Sequence, residues 1–297
     1  MIHVRGKDML FIEAHGHVWE KLHGRRFDTE TVVPVGNGRV RIGDEEIQFV
    51  PPEMTDCTCR IEVLQTYEKL LVFDKAVLLQ TPCYGEQYEY INEIIRKNPE
   101  KYVTVGIPNP QIKESYLDMA KLCLEQYGYK GLKFESPDIP FDMLAEENQF
   151  VFEEIMKYDA FFMIDLGWGD GPHDFPIDEL LEVAKRYPQL KIMLPHMGVS
   201  RLWDPKEKGN LDSLKKTLSI LNYNQNVYFD CSGIPMLATR AGECYPWPLM
   251  TDVLKLAKAE GAIDRVMWGS DAPTVLVACT YRQHVDCVVD YCYFLTD

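Results

Sequence analysis

The chain has 297 residues, 46% of them hydrophobic, and a formal net charge of −15. That size suits one large domain with a substantial core and excludes a disordered chain. The acid excess disfavours nucleic acid and anionic membranes, which are held by Lys/Arg clusters. No apolar stretch approaches the roughly 20 residues that cross a bilayer, and the N-terminus lacks the pattern of a signal peptide. The nine Cys are odd in number and scattered, and Cys57 and Cys59 fit no zinc-ribbon spacing, so they read as free thiols. A soluble cytoplasmic protein without a nucleic-acid or membrane partner is expected.

Short β-rich runs alternate with longer amphipathic ones. In chain order the expected strands cover residues 9–14 (MLFIEA), 75–80 (KAVLLQ), 102–107 (YVTVGI), 131–134 (GLKF), 160–165 (AFFMID), 191–194 (KIML), 227–230 (VYFD) and 265–268 (RVMW). They are near-continuous apolar runs, as in parallel strands covered on both faces. Helical spacing of apolar residues marks 88–97, 116–127, 177–187, 211–221, 249–257 and 284–294. Pro99 and Pro188 fall where helices should stop before the next strand. The simplest closure is an α/β (β/α)₈ TIM barrel, with a doubly wound open sheet as the alternative. The rhythm breaks at residues 31–51, where Asn37-Gly38 between two alternating runs signals a hairpin. This reads as a small β insertion over the top of the barrel after its first strand. It spans about residues 18–60 of a single domain covering 1–297.

His15-Gly16-His17 closes the first strand. Residues i and i+2 of a strand share a face, so both imidazoles can aim into the C-terminal mouth, where barrels of this kind carry their active sites. Such a pair suits a divalent metal, zinc most commonly; a structural or surface pair is the alternative. His196 follows the sixth strand in LPHMG and Asp271 follows the eighth in WGSDAP. Alone, the first reads as a structural His and the second as a turn or cap Asp. Together, three strand ends aim His, His, His and Asp at one point.

These motifs, with GLKF and VYFDCSG, resemble the amidohydrolase superfamily from Glu13 to Pro273. In order and wording they are most similar to its amidohydrolase-related branch, which includes aminocarboxymuconate semialdehyde decarboxylase and γ-resorcylate decarboxylase. The resemblance implies that His15 and His17 are metal ligands. It makes Asp271 a ligand and a proton acceptor for the attacking water, and His196 a catalytic acid/base or a polariser of the substrate. Glu13 stands where family members often carry Asp, either orienting a ligand His or lying lower in the barrel as a structural group. The family's strand-five His is replaced here by Asp165. Three readings follow: Asp165 is an oxygen ligand and shifts preference from zinc toward manganese, His173 in WGDGPHD takes the place of the imidazole, or the site works without metal. The first is preferred.

Other branches carbamylate a strand-four Lys, but Lys133 reads here as a partner of Asp165 or Glu135. Arg25 and Arg26, in the loop after strand one, can reach a substrate carboxylate or remain solvated. Trp168, Trp19 and Trp247 can line an apolar pocket or join the core. The function expected is metal-dependent hydrolysis of a small carboxylate-bearing or aromatic substrate, since a bound metal lowers the pKa of water. Non-oxidative decarboxylation of an aromatic or unsaturated acid, C=C hydration and a non-catalytic small-molecule-binding barrel are the alternatives. The branch is often oligomeric, which allows a homo-oligomer.

Overall fold

The computed structural model describes residues 2–4, 6–26, 30–71, 73–110, 113–136, 138–167, 175–198 and 211–295. An N-terminal hairpin, β1 (Ile2–Val4) and β2 (Lys7–Met9), precedes the first strand of the main sheet, β3 (Ile12–His17). A four-stranded antiparallel sheet follows, built from β4 (Arg25–Arg26), β5 (Glu30–Gly36), β6 (Arg39–Ile42) and β7 (Glu45–Gln48). The remaining strands are β8 (Lys75–Leu79), β9 (Tyr102–Thr104), β10 (Gly131–Glu135), β11 (Phe161–Asp165), β12 (Lys191–Leu194), β13 (Val227–Asp230) and β14 (Val266–Met267).

β3, β8 and β9 pair in parallel, and so do β10 through β14 in order. Parallel bridges join the two groups at Gly106–Leu132 and Gly16–Ala272. The His17 N–H donates to the Ala272 carbonyl at 2.9 Å and the Asp271 N–H to the His15 carbonyl at 2.8 Å. Eight parallel strands thus close into a TIM barrel.

Strand alternation sorts the side chains. Val77, Leu79, Val105, Phe161, Met163, Met193 and Tyr228 form a small cluster inside the barrel. The intervening residues, among them Leu132, Phe134, Phe162, Ile164, Ile192 and Phe229, join the larger core beneath the helices. Two positions beyond Met163 and Tyr228 on the same face lie Asp165 and Asp230. The inward face is therefore apolar in mid-strand and ionisable at the C-terminal ends.

The helices α1 (Ile61–Leu71), α2 (Tyr88–Lys97), α3 (Lys113–Lys121), α4 (Gln149–Lys157), α5 (Ile177–Arg186), α6 (Asp212–Leu218), α7 (Ile234–Arg240), α8 (Pro248–Ala259) and α9 (Tyr281–Val289) surround the strands. α5 buries Ile177, Leu180, Val183 and Ala184, one stripe at helical spacing. At α9, Thr280 and Gln283 form a reciprocal capping box, which starts the helix three residues before the apolar pattern suggested. The helices α1, α4 and α7 were not expected. α1 and α4 mix apolar and charged residues, and α7 is only two turns long.

The first strand differs from its expected 9–14. Gly6, at φ 81°, turns β1 back on β2, and the register shifts between Glu13 and Gly16, so β3 runs through His17 itself. β5 and β6 pair across Asn37-Gly38, both left-handed, as the hairpin signal required. At Gly38 a Cβ would lie 2.3 Å from the Val50 carbonyl, so no other residue fits. This sheet encloses its own core of Trp19, Val32, Val40, Ile42, Val50 and Tyr84. Its last strand and the residue after it bring Ile47, Gln48 and Phe49 over the barrel mouth.

Candidate active site

The mouth holds a cavity of about 120 Å³ lined by His15, His17, Lys133, Glu135, Asp165, His196 and Asp271, with Phe49, Ile47 and Tyr84 on the apolar side. The four sequence-expected side chains His15, His17, His196 and Asp271 do converge, and all are buried.

Each histidine is fixed by its Nδ1. His15 Nδ1–H donates to Asp230 Oδ2 at 2.8 Å, and His17 Nδ1–H donates to the Leu79 carbonyl at 2.9 Å. Both Nε2 atoms then carry lone pairs directed into the cavity in the neutral ring. His15 Nε2 has no hydrogen-bond partner among the described residues, although it is buried. His17 Nε2 faces Asp271 Oδ1 at 3.1 Å, and His15 Nε2 lies 3.9 Å from the same oxygen. Burial, opposed by Asp230, lowers the His15 pKa to about 4, which keeps the ring neutral. Asp271 stays ionised: burial opposes its charge, but the contact with His17 and the charge of His196 hold its pKa below the usual value. Two ring nitrogens and one carboxylate oxygen, all presenting lone pairs, form a donor set suited to a divalent cation.

His196 sits in strained backbone. His196 and Met197 both have positive φ, 55° and 59°, a conformation that costs non-glycine residues about 1–3 kcal/mol each. Asp230 Oδ1 accepts the His196 N–H at 3.0 Å, and the Ser232 hydroxyl donates to the same oxygen. His196 Nδ1–H donates to the Ser232 carbonyl at 3.1 Å, which turns Nε2 toward Asp165 Oδ2 at 3.6 Å. Burial works against the charged ring, but Asp165 outweighs it and His196 is raised to about 9. Asp165, despite burial, is held at about 2 by His196 and Lys133, and its Oδ1 accepts the Gly167 N–H at 2.8 Å.

The structure places three of the expected residues apart from the ligand cluster. Asp165 belongs to neither of the three-residue groups whose ligand atoms cluster; it pairs with His196. Glu13 touches no imidazole: its Oε1 accepts the backbone N–H groups of His15 and Ser270, each at 2.8 Å, and Tyr281 donates to Oε2. It clamps β3 to the turn after β14, and the carboxylate that orients a histidine ring is Asp230. Arg25 is exposed on β4, whereas Arg26 lines the cavity with Nε 3.4 Å from Asp138 Oδ1. The bulge and strand alternation decide the first two cases, and the two faces of β4 the third.

Trp168 and His173 lie outside the described residues. Trp19 and Trp247 are core residues: Trp19 stacks on Tyr84, its Nε1–H donating to the Cys57 carbonyl at 2.7 Å, and the Trp247 Nε1–H donates to Thr239 Oγ1 at 3.0 Å. Lys133 donates to Glu135 Oε1 at 2.5 Å and to the Gln80 carbonyl at 3.2 Å. Sequence reasoning assigned no role to Asp230, Ser232, Asp138 or Arg240. An apolar strand ending in an acid, as VYFD does, was the available signal for Asp230. At Gly269 a Cβ would come within 2.7 Å of His15 Cβ, so the Gly of WGSDAP lets the two strand ends approach.

The architecture recurs in solved structures. An amidohydrolase from Burkholderia multivorans with bound zinc aligns over 97% of this chain and 93% of its own, at TM-score 0.70 and 16% identity. A probable 2-pyrone-4,6-dicarboxylic acid hydrolase from Acinetobacter baumannii, with citric acid bound, aligns over 94% and 91%, at TM-score 0.65 and 15% identity. A 2,6-dihydroxybenzoate decarboxylase from Rhizobium aligns over 76% and 84%, at TM-score 0.50 and 15% identity. At these identities the likeness is one of fold. No curated protein sequence matches the chain. The sequence model of the amidohydrolase family, however, matches residues 12–290, from the first barrel strand to the last helix, and the chain belongs to that family.

Proposed function

We propose that this chain is a metal-dependent hydrolase in which His15, His17 and Asp271 hold one divalent ion, and that it cleaves a small carboxylate-bearing ester, lactone or amide. The observation that carries the reading is the orphaned His15 Nε2, buried beside a second imidazole and a carboxylate that present only lone pairs. A buried polar atom without a partner costs about 1–3 kcal/mol, and a cation accounts for all three groups at once. Two imidazoles and a single carboxylate favour zinc; Asp165, engaged with His196, adds no oxygen ligand that would favour manganese. A bound ion supplies Lewis acidity and lowers the pKa of water.

The chain's own groups do the rest. Asp271 takes a proton from the attacking water. The His196 imidazolium, kept charged by Asp165, donates through Nε2–H to the substrate carbonyl oxygen and stabilises the charge that develops there. Arg26, Arg240 and Lys133 bring three cationic side chains to a cavity otherwise rich in acids, and Arg forks fit carboxylates. Phe49, Ile47 and Tyr84 cover the substrate's apolar part and exclude water. The reading treats residues 1–297 as one catalytic unit, roofed by the sheet β4–β7.

Non-oxidative decarboxylation of a hydroxybenzoate is the second reading, favoured by the Rhizobium decarboxylase among the structural neighbours. Incubating zinc-loaded protein with carboxylated lactones and with hydroxybenzoates separates the two. Ring opening without carbon dioxide release is expected; carbon dioxide release without hydrolysis contradicts the hydrolase reading.

A further inference from the structure

One wall of the cavity carries a proton that the scheme above does not use. Lys133 and Glu135 project inward from β10, and Asp138 follows in the next turn. Glu135 and Asp138 are only 8% and 4% exposed. The Asp138 N–H donates to the Glu135 carbonyl at 3.1 Å, which folds the turn back so that both carboxyl groups line the same cavity. Two buried carboxylates in one small cavity, with Asp165 as a third, repel one another, and a proton held between Glu135 and Asp138 relieves that repulsion.

The neighbours decide which oxygen keeps it. Asp138 already faces two donors, the Cys83 thiol at 3.3 Å from Oδ2 and Arg26 Nε at 3.4 Å from Oδ1. Glu135 faces Lys133 Nζ at 2.5 Å and the negative field of Asp165 across the paired strand. Burial, resisted by Lys133 and reinforced by Asp138 and Asp165, pushes Glu135 up to about 7. Lys133 itself stays charged: burial disfavours the ammonium, but Glu135, Asp165 and Asp271 more than offset it. The pair shares one small cavity with the orphaned His15 Nε2, so a molecule filling that space meets both walls.

We propose that Glu135 is a second acid of the site, which protonates the departing group as the substrate bond breaks, with Asp138 as the partner that keeps its proton in place. This rests on the hydrolytic reading. For an ester, the water oxygen bonds to the carbonyl carbon while Asp271 takes one water proton. The bond from that carbon to the alcohol oxygen then breaks, and its electron pair stays on the oxygen. That oxygen takes the Glu135 proton and leaves as the alcohol. Glu135 remains as a carboxylate held by Lys133 Nζ. Asp271 releases its proton to solvent, and Glu135 regains one when the products depart, so the cycle consumes one water and no net proton.

The test pairs infrared spectroscopy with leaving-group dependence, both on the zinc-loaded protein. At mildly acid pH the wild type should show the carbonyl stretch of a buried protonated carboxylic acid. Glu135→Gln should abolish it, and Asp138→Asn should remove it as well by letting Glu135 ionise against Lys133. Hydrolysis of monoethyl succinate, which carries a free carboxylate and whose alkoxide must be protonated to leave, should fall about 100-fold in Glu135→Gln. Hydrolysis of mono-4-nitrophenyl succinate, whose phenolate leaves unaided, should be nearly unchanged. A band that persists in Glu135→Gln, or equal losses on the two esters, overturns the proposal. If Glu135→Gln does not fold, a band retained in Asp138→Asn overturns it alone. A wild type that shows the band but hydrolyses neither ester refutes the hydrolytic reading and the donor role with it, while the shared proton stands.

Discussion

His15 Nδ1 and Asp230 Oδ2 lie 2.8 Å apart, both side chains buried, and the same carboxylate accepts the backbone N–H of His196 through its other oxygen. One aspartate thus sets the tautomer of a candidate ligand and anchors the left-handed turn that carries the candidate polariser. His15 and His196 are 181 positions apart in sequence and meet through a residue from neither strand.

Asp230→Asn keeps the shape and removes the charge. The His15 ring loses the acceptor that makes its Nε2 basic, and carboxylates in this role are worth about 10–100-fold in metal affinity. Zinc affinity by chelator competition should fall by about that factor with the circular dichroism spectrum retained. Unchanged affinity would show that His15 is not oriented through Asp230.

The Asp165–His196 pair makes stability pH-dependent in the metal-free protein. His196 is raised from 6.5 to about 9, so its contribution is complete below 6.5 and lost as pH rises through about 9. Asp165 is depressed from 3.8 to about 2, so its contribution is present above 3.8 and lost as pH falls through about 2. The stability difference between wild type and Asp165→Asn should be largest between those limits, on the order of 2–3 kcal/mol, and shrink toward pH 9. Urea unfolding across pH measures it; a difference independent of pH would mean the two side chains are not coupled.

Gly269→Ala places a methyl group 2.7 Å from His15 Cβ and 2.9 Å from its backbone nitrogen. β3 must shift away from the turn after β14, carrying His15 off its position. Zinc affinity should drop at least tenfold, with a loss of about 1–3 kcal/mol in stability from overpacking. Thermal unfolding and chelator titration together check this; a variant with native affinity would show that the strand ends have slack.

Much of the barrel was legible because each strand is a compact apolar run and parallel strands are buried on both faces. His15, His17, His196 and Asp271 were legible because strand ends in a closed barrel converge whatever their separation in sequence. The partners were not. Asp230 ends its strand as Asp165 does, and only the closed barrel shows that its two oxygens reach His15 and His196. Glu13 appeared equally able to reach a ring or the backbone, and the register shift between Glu13 and Gly16 turns it to the backbone of Ser270. Arg25 and Arg26 differ by one position on a two-residue strand, and one position is the whole difference between exposed and cavity-lining. The helices α1 and α4 were missed because their apolar residues are interleaved with Glu and Lys.

His15→Ala and Asp271→Asn should each abolish turnover and leave the fold intact, since strand-end residues at the mouth contribute chemistry more than packing.

The most direct test of the central claim is anomalous diffraction from crystals grown with zinc. One anomalous peak is expected at the barrel mouth, about 2.0–2.2 Å from His15 Nε2, His17 Nε2 and an Asp271 oxygen, and no peak in His15→Ala crystals. A mouth without anomalous signal at saturating zinc, or a peak that persists when His15 is removed, would contradict it.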